Sequence, residues 1–162
     1  MNVIVNATPL INFASISRLD ILKSLFGKII VPFHVWDEVV TKAGEYDTSE
    51  VIKSADFLTI KKAKDEMLYK TLLMDINKGE AEAIVLALEI KASLVILDEK
   101  EARDFAEYYG LNFTGTVGCL LRAKQKWIIK NLKPVLDDIM IKGNFWLSDD
   151  VYNKVINLAK EN

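Results

Sequence analysis

The chain has 162 residues, 51% of them hydrophobic, the composition of one compact domain with a sizeable core rather than of a disordered or fibrous protein. A formal net charge of -2 excludes a protein that coats nucleic acid by bulk attraction, so any such site must be a local patch. The single cysteine, Cys119, excludes an internal disulfide, and no basic start followed by a long apolar stretch marks a signal peptide. Apolar runs such as "AIVLAL" fall far short of the ~18 to 20 residues that span a bilayer. The expectation is a cytoplasmic, reducing environment with no membrane contact.

In chain order, residues 3–5 form a short β-branched run that stops at Asn6, and Pro9 suits the first turn of a following helix. Leu19, Leu22, Leu25 and Phe26 recur at helical spacing, Gly27 closes that helix, and 29–31 begin a second strand. Pro32 is expected to open a helix reaching about Ala43. Residues 44–77 mix weak helical periodicity with a possible edge strand at 57–60. "GEAEAIVLALEIKASLVILDEKEARDFAEYYGLNFTGT" then reads as helix, strand (94–97), helix, strand (112–114), with Gly110 as a helix stop. Beyond Lys126, two more helices are predicted, near 133–141 and after Ser148 as an N-cap. Short apolar runs alternating with helices indicate α/β architecture with parallel strands joined by crossover helices.

In such sheets ligands bind outside the carboxyl ends of the strands, which singles out Asn6, Glu38, Glu80 and Asp98. Each also has a structural reading. Asn6 serves as a turn or cap residue, Glu80 and Glu82 as complements to a helix dipole, and Asp98 as an N-cap. Glu38, beside Asp37, serves as a solvated helix acid. His34 shares a helix face with Glu38, but as the only histidine it is read as structural or exposed, and Cys119 is read as core. Glu99, Glu101 and Asp104 are placed on a solvated face, with Glu101 the one most able to reach the site. There is no G-x-G-x-x-G after the first strand, no P-loop, no nucleophile elbow and no Cys/His zinc spacing. What remains is a set of oxygen ligands suited to Mg²⁺ or Mn²⁺ rather than zinc.

From Tyr108 to Pro134 the chain carries no acid. Arg122, Lys124, Lys126 and Trp127 in that stretch form a basic and aromatic set suited to nucleic acid; a solvated basic helix with Trp127 packed inward is the structural alternative.

On "VIVNATPLI", "VWDEVV", "GEAEAIVLALE", "LVILDEKEA" and "NFTGTVGCLLRAK", the chain resembles the PIN-domain family of metal-dependent ribonucleases, particularly a subgroup of small prokaryotic proteins. The likeness covers roughly residues 3–125, giving a nuclease-type core at 1–125 and a C-terminal helical extension at 126–162 packed on the same domain. It implies a three-layer α/β/α PIN-like fold, with a central, mostly parallel sheet of four or five strands and helices on both faces. It also implies metal ligation by Asn6, Glu38, Glu80 and Asp98, the three acids being catalytic. Thr114 or Thr116 completes the site, with Glu82 and Glu101 as secondary candidates. The implied activity is hydrolysis of single-stranded RNA with Mg²⁺ or Mn²⁺, in some relatives as the toxin paired with an antitoxin protein; a homodimer is the expected assembly. Asn6 departs from the family's acid, leaving three carboxylates, and keeps open a non-cleaving, nucleic-acid- or protein-binding relative.

Overall fold

The computed structural model describes residues 1–44, 47–143 and 145–162. Five parallel strands form one sheet: β1 (Val3–Val5), β2 (Ile29–Pro32), β3 (Leu58–Lys61), β4 (Leu94–Ile96) and β5 (Phe113–Thr114), in the order β3-β2-β1-β4-β5. The central strands are apolar at every position because both sheet faces are covered. Val3 and Val5 point into one core with Ile29, Val31 and Ile96, whereas Ile4, Ile30, Val95 and Leu97 point into the other.

The first core is closed by α1 (Ala7–Ser15), α2 (Leu19–Phe26), α8 (Thr116–Gln125), α9 (Leu132–Lys142) and α10 (Asp149–Leu158). The second lies under α5 (Glu66–Leu72), α6 (Lys78–Ile90) and α7 (Lys100–Tyr108). This is a three-layer α/β/α fold. Ile129, Leu132, Leu136, Ile139, Val155 and Ile156 share one core with β1, so the C-terminal helices are integral to it. Glu161 secures them: its carboxylate accepts from the Lys124 ammonium (2.6 Å) and from the amides of Leu132 (2.6 Å) and Lys133 (3.0 Å), capping α9 where Asn131 makes no side-chain cap. Burial alone would raise its pKa, but these bonds and the Lys124 charge hold it below the ordinary value.

Pro32 ends β2 and, as N-cap, opens the next helix as expected. That helix, α3 (Phe33–Trp36), does not run regularly to Ala43 but passes into a π-helical turn at Asp37–Thr41. Within 44–77, α4 (Asp47–Lys53), β3 and α5 are formed, and β3 is the edge strand expected near 57–60; residues 45 and 46 of that stretch lie outside the described residues. Among the described residues, no helix is long and apolar enough to cross a membrane.

Candidate metal centre and its acid crevice

β1 and β4 are neighbours from which the chain winds in opposite directions, so their carboxyl ends frame the crevice where an open α/β sheet takes its ligand. Asn6 leaves β1 as the N-cap of α1, its amide bonded to Ile96 O (3.0 Å). Asp98 and Glu99 leave β4. Glu38 arrives on the π-helical turn, a local irregularity frequent at functional sites. Glu80 arrives on the first turn of α6.

Asn6 is only 2% exposed. Its Nδ2 donates to Glu99 Oε2 (3.3 Å), and its Oδ1 is buried without a hydrogen-bond partner. An orphaned buried acceptor costs on the order of 1–3 kcal/mol, a cost that a cation would relieve. Gly79 locates what this oxygen faces. A β-carbon there would lie 3.5 Å from Asn6 Oδ1, 3.6 Å from Glu38 Oε2 and 3.1 Å from Val35 Cγ2. The asparagine and glutamate oxygens thus face the same turn of α6.

Glu80 is buried and closes a capping box with Asn77, accepting from its amide (3.2 Å) and Nδ2 (3.0 Å) while its own amide donates to Asn77 Oδ1 (2.9 Å). Asp98 accepts from the Thr116 amide (2.8 Å) and hydroxyl (2.6 Å), and Asn12 Nδ2 donates to that hydroxyl from α1 (3.1 Å). It therefore anchors the start of α8 rather than capping α7. Gly115 permits the approach, since a β-carbon there would lie 2.6 Å from Asp98 Oδ1.

The carboxylates feel one another. Burial raises the pKa of Glu38, helped by the Glu99 charge and opposed by Lys42. Burial also raises Glu80 against the Asn77 bond, with further raises from Glu99, Glu101 and Glu38. In Asp98, burial outweighs the Thr116 bonds, and Glu99 adds to the rise. In all three acids burial is the largest cause of the rise, and neighbouring carboxylates add to it.

Glu99 was expected on a solvated face, with Glu101 the better placed of the two. Instead Glu99 bonds Asn6 and Thr8 Oγ1, and exposed Glu101 is felt only as charge. The signal was the acid doublet at the end of a buried strand. Glu82 is turned away from the crevice, accepting from the amides of His34 (2.6 Å) and Ala63 (3.2 Å). The Thr114 side chain lies against Gly118 on α8, leaving Thr116 as the threonine that touches an acid.

The basic set lies elsewhere. At 1.5 Å rise per residue, Arg122 to Lys126 stand roughly 9 to 15 Å along α8 from Thr116. Arg122 covers the Phe26 ring (5.5 Å), and Lys124 is held by Glu161. Trp127 is not packed inward: it is 86% exposed. Cys119 is core, its thiol pushed up to about 12 chiefly by burial.

The sheet is all-parallel and covered on both faces, with Asn6, Asp98 and Glu99 at the carboxyl ends of its neighbouring strands β1 and β4. The family model DUF3368, described as a PIN domain, matches residues 2–161, and the chain belongs to that family. No curated protein matches the chain.

PIN domains generally use divalent metal ions. Among the described residues, no three His, Cys, Asp or Glu side chains converge closely enough to hold an ion as they stand, and Glu80, Asp98 and Glu99 each accept from protein donors. The donor set nevertheless fits a hard cation. It is all oxygen, rich in negative charge, and includes the unpartnered Asn6 Oδ1.

Proposed function

We propose that the protein is a Mg²⁺- or Mn²⁺-dependent ribonuclease that hydrolyses phosphodiester bonds in single-stranded RNA. The observation that carries this reading is the orphaned Asn6 Oδ1 beside Glu38, in a crevice where Glu38, Glu80 and Asp98 are all pushed above their ordinary pKa values. Asn6, Glu38, Glu80, Asp98 and Glu99 would hold the ion. When bound, it lowers the pKa of a water and stabilises charge on the attacked phosphate. The chain's own part is to orient these oxygens: Thr116, itself fixed by Asn12, aims Asp98, and Asn6 with Thr8 aims Glu99.

A cytoplasmic toxin paired with an antitoxin protein, acting as a homodimer, belongs to the same proposal on family resemblance alone. A second reading, a binding module that does not cleave, draws on Asn6 and on the acids' attachment to protein donors. Incubation of the purified protein with fluorescent single-stranded RNA separates the two. The ribonuclease reading expects cleavage with Mn²⁺ or Mg²⁺ and none in EDTA; an inert parent with activity in Asn6→Asp supports the binding module.

A further inference from the structure

The acid crevice opens onto a strip of rings and ammonium groups that none of its acids uses. Phe33, at the start of α3, is 41% exposed. Its ring meets His34 edge to face with centroids 5.5 Å apart, and His34 stacks on Tyr69 of α5 at 5.3 Å with 5° between the planes. Lys62, just past β3, holds its Nζ 5.7 Å above the Phe33 ring. His34 and Lys78 also line a cleft of about 240 Å³ with Asp37, Glu38, Lys42 and Gly79, which joins that end of the strip to Glu38. Among the described residues, Lys62 and Lys78 form no ion pair.

Buried Glu82 fixes this arrangement, since its two oxygens accept from the amides of His34 and Ala63 and so tie the ring-bearing segment to the one carrying Lys62. An exposed ring, a ready two-ring stack and two lysines without an ion pair, one of them on the cleft that reaches Glu38, supply what single-stranded nucleic acid needs: flat faces for bases and positive charge for phosphates.

We propose that Phe33, His34, Tyr69, Lys62 and Lys78 form the single-stranded RNA track that leads a phosphodiester into the crevice. The choice of RNA rests on the ribonuclease reading, and the track, rather than the far end of α8, carries the binding. The test measures fluorescence anisotropy of a labelled uridine oligonucleotide of about eight residues in EDTA, where binding is read without cleavage. Phe33→Ala and Tyr69→Ala weaken binding at least about fivefold, whereas Tyr69→Phe, which keeps the ring, binds as the parent does. Phe33→Leu, which keeps apolar bulk for folding, loses affinity as Phe33→Ala does. Lys62→Ala flattens the salt dependence by about one unit of slope.

Unchanged affinity in Phe33→Ala and Tyr69→Ala overturns the proposal, as does weakening confined to Trp127→Ala or a parent that binds no oligonucleotide. RNA that is bound through the strip yet never cut with Mn²⁺ instead defeats the ribonuclease reading and leaves the track standing.

Discussion

Glu99→Gln lowers RNA cleavage at limiting Mn²⁺ by about 100-fold, and adding Asn6→Asp to that variant restores most of the loss. Residue identities alone leave three carboxylates, Glu38, Glu80 and Asp98, with an amide where an acid is expected. In the proposed site Glu99 is a fourth, bonded to that amide through Asn6 Nδ2. An aspartate at position 6 could not donate this bond and would add repulsion beside Glu99. In the proposed site the asparagine is therefore matched to its neighbour: position 99 would carry the charge, and the unpartnered Asn6 Oδ1 would serve as a neutral ligand. The double variant swaps amide and acid while keeping the count of four. Losing even an outer partner of a metal site typically costs 10–100-fold, so removing a charge from the cage belongs at or above the upper end of that range. Asn6→Asp alone adds a fifth charge and lowers stability in EDTA, a loss that Mn²⁺ reverses. Rate measurements on the two single variants and the double variant check this, and a double variant no better than Glu99→Gln removes Glu99 from the site.

The second large effect is at Asp98. Asp98→Asn abolishes cleavage to below about one per cent and also lowers the melting temperature by roughly 3–8 °C, the equivalent of about 1–2 kcal/mol in a domain of this size. The two losses have separate causes. Cleavage falls because one charge leaves the crevice. Stability falls because the Thr116 hydroxyl, already accepting from Asn12, donates to Asp98 Oδ2 and must find another acceptor when an amide nitrogen stands there. Thr116→Val separates them: it loses comparable stability but keeps the carboxylate, so its cleavage falls far less, by about tenfold. Equal activity losses in the two variants would make Asp98 an anchor for α8 alone.

The sequence made the strands and α6 legible because parallel strands covered on both faces, and a helix buried from Ala83 to Ala87, leave unbroken apolar runs. The edge strand β3 was harder: three of its four residues are exposed, so its pattern is that of a lysine-rich loop. Asn6, Glu80 and Asp98 were visible as polar residues at element ends, and Glu38 as an acid within the expected helix after the second strand. What they bind was not. Asn6 meets Glu99 across 93 residues, and Asn12 meets Thr116 across 104. No local spacing encodes such pairings, which follow from the adjacency of β1 and β4 and from α1 packing near the start of α8. The strip of Phe33, His34 and Tyr69 escaped for the same reason, since α3 and α5 come together only through the fold and the Glu82 clasp.

A Mn²⁺ titration followed by electron paramagnetic resonance shows whether the acid crevice takes up a divalent ion. The parent binds Mn²⁺ with at least one site per chain, and Glu38→Gln and Asp98→Asn each weaken that site by about tenfold or more. A parent that takes up no Mn²⁺, or variants that bind it as tightly as the parent does, would contradict the account.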